Sequence, residues 1–263
     1  MSRGFWHDDC VAPVALITGV GRRRGIGASI AVGLAADGWD LALSYWNAYD
    51  DRVGYERGAA DPRELAEELR HAGRRVELVP ADLENPETAD LVVKRAGELL
   101  GALDALVLSH AESVDSGVLD TTVDSFDRHY AVNVRASWLL IAAFARQLPP
   151  TGGAVIALTS DHTVGNVPYG ATKGALDRLV LAAAHELSHQ GLRGNVINPG
   201  PVDTGWMTDR VRAELTAMQP TGRLGTAEDT ANLVRFLLSK QGEWINGQRL
   251  YSNGGAPAGQ LPV

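Results

Sequence analysis

Val14-Ala-Leu-Ile-Thr18 runs directly into Gly19-Val-Gly-Arg-Arg-Arg-Gly-Ile-Gly27 and then into Ala28-Ser-Ile-Ala-Val-Gly-Leu-Ala-Ala36. The first piece is a short apolar run of strand length, and Ile26, Ile30 and Leu34 fall on one face of a helix. Between them lies a turn of glycine and arginine. Glycine lets a turn tighten and lets the backbone approach a ligand closely. A turn that ends in a helix also offers free N–H groups and the positive end of the helix dipole, which together hold phosphate. Strand, glycine turn and helix in that order open a βαβ unit.

The alternation continues along the chain. Strands are expected at 40–46, 75–80, 105–108, 154–158, 194–198 and 248–251, and helices at 62–72, 86–100, 121–147, 169–190 and 227–239. Strands separated by helical patterns form a parallel sheet with helices on both faces. The expected fold is therefore α/β, a Rossmann-type doubly wound parallel sheet in a single domain over residues 13–258, after an N-terminal arm at 1–12. Two stretches break the pattern. Residues 47–61 form a polar insert with Tyr49 and Tyr55, and residues 203–220, with a short helix at 208–218, are placed to act as a lid over a site.

Of 263 residues, 45% are hydrophobic and 21% charged, which supports a sizeable core. The formal net charge of −8 argues against general nucleic-acid binding, which needs phosphate neutralisation. A single cysteine, Cys10, excludes an internal disulfide and a cysteine-cluster metal site, and no metal is expected. No apolar run approaches the roughly 18 residues of a membrane span. Trp6, His7, Asp8 and Asp9 near the start do not read as a signal peptide. The expected location is the cytoplasm.

A glycine turn between the first strand and first helix of a βαβ array reads as a dinucleotide site. NAD sites usually carry an acidic residue after the second strand to bind the ribose 2′-OH. Here the second strand ends in Ser44-Tyr45-Trp46-Asn47, and no carboxylate follows before Asp50. Ser44 with Arg22, Arg23 and Arg24 suits a 2′-phosphate, hence NADP(H), since arginine binds phosphate in a bidentate way. The competing reading of the three arginines is a solvated basic turn. Further on, Tyr169 and Lys173 lie four residues apart in an apolar helical stretch and share a face. A neighbouring ammonium lowers a phenol pKa and makes the tyrosine a proton donor or acceptor near neutral pH. Taken alone, such a pair is common on solvated helix faces.

Together these pieces resemble the short-chain dehydrogenase/reductase family, from about residue 14 to 255. The family's Thr-Gly-x3-Gly-x-Gly turn is present with two extra residues before Gly25-Ile26-Gly27, so the turn is longer. The resemblance implies cofactor contacts from Thr18, Gly19, Gly21, Gly25, Ile26 and Gly27, with Asp82-Leu83 at the adenine. It implies that Asn133, Ser160, Tyr169 and Lys173 form the catalytic tetrad, Asn133 holding a water of the proton relay. Tyr169 and Lys173 would also meet the cofactor, and Pro199, Gly200, Val202 and Thr204 would hold the nicotinamide amide.

The chain departs from the family at two places. Leu108-Ser109-His110-Ala111 stands where the family shows Asn-Asn-Ala-Gly; Ser109 is still expected at the cofactor and His110 is read as structural. Only eight residues separate Ser160 from Tyr169, fewer than is common, so Asp161, His162 and Val167 are expected to line a remodelled pocket. Asp161-His162 also reads as an acid/base pair, but adjacent residues in an extended segment point opposite ways.

The resemblance implies reduction of a carbonyl, or oxidation of the matching alcohol, by NADP(H). The substrate is a small molecule, with an acyl thioester suggested by similarity to members labelled 3-oxoacyl-carrier-protein reductase. Enoyl reductases also lengthen the first turn but space their Tyr and Lys further apart. A catalytically silent NADP-sensing protein on the same fold is the other alternative, although such proteins often lose the Tyr or Lys. The family also implies a homo-oligomer, tetramer or dimer, through the helices at 121–147 and 169–190. Trp138, Leu139 and Phe144 read equally as interface or core.

Overall fold

A computed structural model describes residues 11–55 and 61–256. Most of the expected N-terminal arm, the end of the polar insert and residues 257–258 lie outside the described residues. Strands β1 (Val14–Thr18), β2 (Asp40–Tyr45), β3 (Val76–Pro80), β4 (Ala105–Leu108), β5 (Gly153–Leu158), β6 (Leu192–Asn198) and β7 (Gln248–Tyr251) form one sheet in the order β3-β2-β1-β4-β5-β6-β7. Every neighbouring pair is parallel, with Leu16 set beside Ala42 on one side and Leu106 on the other. The helices are α1 (Ile26–Ala36), α2 (Asn47–Val53), α3 (Asp61–His71), α4 (Thr88–Leu100), α5 (Val123–Tyr130), α6 (Ala136–Arg146), α7 (Val167–Glu186), α8 (Asp209–Met218) and α9 (Ala227–Leu237).

Two cores sandwich the sheet. Ala15 and Ile17 of β1 pack with Ile30 and Leu34 of α1, Leu65 of α3 and Val234 of α9. Val14 and Leu16 point the other way, towards Val92 of α4, Leu140 and Phe144 of α6, and Val180 of α7. Successive side chains of a strand face opposite sides, so a strand covered on both faces reads as an unbroken apolar run. Phe144 is therefore core, Leu139 packs at its edge, and Trp138 is 53% exposed.

The strand order reverses between β1 and β4, and open α/β sheets bind ligands in the crevice beyond the strand ends at such a point. Among the described residues no helix is long and apolar enough to cross a membrane.

The structure corrects the sequence reading in two stretches. The polar insert begins as a helix, α2, closed by Gly54 in the left-handed region at φ 71°. Its residues show no apolar periodicity, because contacts with distant loops rather than an apolar stripe hold it. The helix expected over 121–147 is α5 and α6 joined by a π-helical turn, Ala131–Arg135. Such turns recur at functional sites, and this one carries Asn133.

Candidate active site

A cleft of about 750 Å³ opens at the C-terminal ends of the strands. Its first wall is the turn after β1. Gly19 has φ 76°, and a Cβ there would lie 2.7 Å from the backbone of Ser109 and His110. Only glycine lets this turn press onto the loop after β4. The lengthened turn closes on itself where Gly25 N donates to Arg22 O at 3.0 Å, and Ile26 then opens α1.

Gly19, Gly21, Arg22, Gly25, Ile26 and the buried Ser44 line the cleft. Thr18 and Gly27 lie behind it. Thr18 Oγ1 accepts from Ser109 N at 3.2 Å and lies 2.7 Å from His110 Nδ1, and a Cβ on Gly27 would come within 2.9 Å of Gly19 O.

The next two arginines lie apart from these. Arg23 pairs with Glu68 of α3, and Arg24 lies 3.5 Å from Asp203, so neither lines the cleft.

Asp82 and Leu83, after β3, line the cleft, as does Ser109. His110 is structural, as read. It is buried between Thr18 and the Val132 carbonyl, 3.1 Å from Nε2. Burial first, and then the charge of Lys173, pull its pKa down to about 3, so the ring stays neutral.

The floor is built by β5 and α7. Asn166 accepts from Tyr169 N at 3.4 Å and so caps α7. Its Nδ2 also donates to Ser113 Oγ and Asp115 Oδ1, tying α7 to the loop after β4. Ser160, Asp161 and His162 line the cleft with Tyr169 and Lys173, whereas Val167 does not. Ser160 Oγ accepts from His162 N at 3.1 Å.

Lys173 is 2% exposed and donates from Nζ to the Leu158 carbonyl at 2.8 Å. Burial lowers its pKa to about 8, with Asp177 acting against that. The Tyr169 phenol, expected to be lowered by Lys173, is instead raised to about 12, because burial outweighs its hydrogen bond with Ser160. The ammonium sits 5.6 Å from the Tyr169 ring centroid, with one of its three N–H donors on the Leu158 carbonyl.

Asn133 does not line the cleft. Its Oδ1 accepts from Glu112 N at 2.7 Å, and Nδ2 donates to Glu112 O and Thr172 Oγ1, each at 2.9 Å. The side chain thus clamps the loop after β4 to α7, with both amide hydrogens committed.

Pro199, Gly200, Val202 and Thr204, beyond β6, form the opposite wall. Asn198 Oδ1 accepts from Gly200 N, while its buried Nδ2 has no hydrogen-bond partner among the described residues. A close-approach glycine turn at one end and an unspent amide donor at the other fit an elongated polar ligand such as a dinucleotide. Trp206, Leu215 and Met218 add an apolar flank.

Residues 19–257 match the family model described as enoyl-(acyl carrier protein) reductase. An uncharacterized oxidoreductase of Bacillus subtilis is 34% identical over 92% of this chain and 96% of its own length. An NADPH-dependent aldehyde reductase-like protein of Arabidopsis thaliana is 33% identical over 92% of this chain and 93% of its own. Among solved structures, a blue fluorescent protein from a metagenomic library in complex with NADPH superposes with a TM-score of 0.83 at 31% identity, covering 94% of this chain and 99% of that one.

The chain belongs to the short-chain dehydrogenase/reductase family. It is an oxidoreductase of that family.

Against the short-chain dehydrogenase/reductase pattern, the feature the sequence reading missed is α2. Tyr49, Asp50, Arg52 and Tyr55 all line the cleft. Arg52 makes two bonds to Glu112, at 2.8 and 2.6 Å, and Tyr49 Oη donates to Ser113 O at 3.3 Å. Burial raises the Tyr49 phenol far above its usual range. The two tyrosines in a polar insert were the available signal. The destination of α2 depends on partners of Tyr49 and Arg52 some 60 residues away in the chain.

Proposed function

We propose that this protein is an NADP(H)-dependent reductase of ketones or aldehydes, able to oxidise the matching alcohol, with Tyr169 as the proton donor. The observation that carries the reading is the meeting of Ser160, Tyr169 and Lys173 at one end of a cleft whose other wall is the glycine turn. A nicotinamide cofactor bound there would supply the hydride.

Tyr169, with its phenol at about 12, keeps its proton at neutral pH and stands ready to give it to an oxygen on which negative charge develops. Ser160, which already bonds the Tyr169 phenol and accepts from His162 N, would turn its proton to that same oxygen when a substrate binds. The charge on Lys173 steadies the phenolate left behind. Asn133 keeps α7 and the loop after β4 in register, so that these groups converge.

Gly19, Gly21, Gly25, Ile26 and Arg22 would hold the phosphates, Asp82, Leu83 and Ser109 the adenosine end, and Pro199, Gly200, Val202 and Thr204 the nicotinamide. Arg22 and Ser44 support NADP(H) over NAD(H), as does the likeness to a protein solved with NADPH. Residues 203–220, with Trp206 and α8, would cover the substrate. A dimer or tetramer would form through α5, α6 and α7, whose Phe126, Tyr130 and Trp138 are exposed.

The description of the matching family model favours a second reading, an enoyl reductase. The short Tyr169–Lys173 spacing supports the carbonyl reading instead. One screen tests both: ketones, aldehydes, 3-oxoacyl thioesters and enoyl thioesters, each with NADPH and with NADH. Carbonyl turnover faster with NADPH is expected. Faster turnover with NADH overturns the cofactor preference, alkene reduction alone overturns the substrate class, and binding without turnover across the panel points to a sensor.

A further inference from the structure

Asp50 is a carboxylate supplied by α2 to the wall of the cleft, and it is only 4% exposed. Its Oδ1 lies 3.0 Å from Arg22 Nε. Its Oδ2 fills the space a side chain on Gly21 would need, 2.9 Å from where that Cβ would stand. The Arg22 guanidinium also donates to the Thr204 carbonyl at 2.8 Å and stacks over the Tyr55 ring at 4.5 Å from its centroid. The Arg52–Glu112 pair and the Tyr49–Ser113 bond anchor α2 on the far side of the cleft. An anion belonging to the protein therefore already rests on the cationic edge of the glycine turn.

We propose that Asp50 is an internal competitor of the cofactor's phosphates, which bind by taking Arg22 from it. The inference rests on the dinucleotide reading of the cleft. Arginine pairs as readily with phosphate as with carboxylate, so the exchange keeps Arg22 partnered throughout. Two anions cannot share one guanidinium edge without repulsion, so Asp50 and a phosphate exclude one another in part. With α2 fixed by Arg52 and Tyr49, the carboxylate stays close and reclaims Arg22 when the cofactor leaves. The chain thus trades cofactor affinity for release, a step that often limits turnover in enzymes with closing clefts.

The test is calorimetric titration of the wild type, Asp50→Asn, Arg22→Gln and the double variant with NADPH, NADH and inorganic pyrophosphate. Asp50→Asn is expected to bind NADPH about tenfold tighter, the scale of one relieved charge repulsion. It should also bind pyrophosphate more tightly and release NADPH more slowly in stopped flow. The gain should vanish in the Arg22→Gln background. Asp50→Ser should behave as Asp50→Asn does, which guards against a folding defect in either.

Equal NADPH affinity in wild type and both Asp50 variants overturns the inference and leaves the proposed function standing. Loss of NADH affinity in Asp50→Asn also overturns it, assigning Asp50 to a ribose hydroxyl. Failure of every variant and the wild type to bind either cofactor overturns both readings.

Discussion

The floor of the cleft and its rim hold charge differently: Lys173 on the floor is buried, whereas most of the arginines at the rim are partly exposed. On the floor, Lys173 donates to the Leu158 main chain, and Asn133 and Asn166 make bonds fixed by the sheet, α7 and the loop after β4. At the rim, Arg22, Arg23, Arg24 and Arg52 pair with side-chain carboxylates from α2, α3 and two loops. Main-chain groups and short polar clamps leave the floor one arrangement, which would suit the proposed proton transfer from Tyr169. Side-chain partners are free to change, as the proposed exchange of Asp50 for a phosphate would require. Buried charge alone therefore says little about role; what the charge is bonded to says more.

The strongest way to break this contrast is at the floor. Tyr169→Phe should lower kcat by about 10³-fold, within the range of a lost general acid, while cofactor affinity stays within a few-fold by calorimetry. Substantial carbonyl reduction in that variant would remove the proposed role.

Asn133→Ala should cost about 2–4 kcal/mol of stability in urea unfolding, since it strips the buried main-chain N–H and C=O of Glu112 of their Asn133 bonds and removes a donor to Thr172. A fall in kcat with unchanged stability would instead return Asn133 to a relay role.

Lys173 gives a pH test with a definite sign. Its ammonium is present below about 8 and lost above it, so carbonyl reduction should decline as pH rises through 8 while alcohol oxidation does not. The folded state gives up this proton at about 8 and the unfolded state only near 10.5. The cost of burying the ammonium is thus fully present below 8 and is relieved between 8 and 10.5. Relative to Lys173→Met, the wild type should gain stability over that window, read from denaturant midpoints at pH 7 and pH 10.

The rim should show the smallest effects. Arg23→Ala and Arg24→Ala break exposed pairs and should change stability by under about 1 kcal/mol. Neither should alter the NADPH-to-NADH affinity ratio, whereas Arg22→Gln should lower it. A large shift from Arg24 would blur the line drawn here between Arg22 and its neighbours.

Legibility followed the same division. The β1–turn–α1 stretch was readable because apolar runs and glycines act within a few residues. Tyr169 and Lys173 were readable because one helix turn brings them together whatever surrounds it. Asn133 was found through a resemblance, but its clamping bonds were not, because they reach Glu112 and Thr172. The insert was noticed and misread as irregular, because α2 carries no apolar stripe and its anchors lie after β4.

By itself the sequence determined the alternation of strands and helices, the parallel sheet, the glycine turn and the Tyr–Lys spacing. Each of these follows from local periodicity and backbone freedom. The tertiary structure alone decided which of three adjacent arginines faces the cleft, that Asp50 pairs with it, and that burial rather than Lys173 governs the Tyr169 phenol. Those outcomes depend on pairings between residues far apart in the chain, and on how much water the packed elements exclude. Neither is written in any short stretch of sequence.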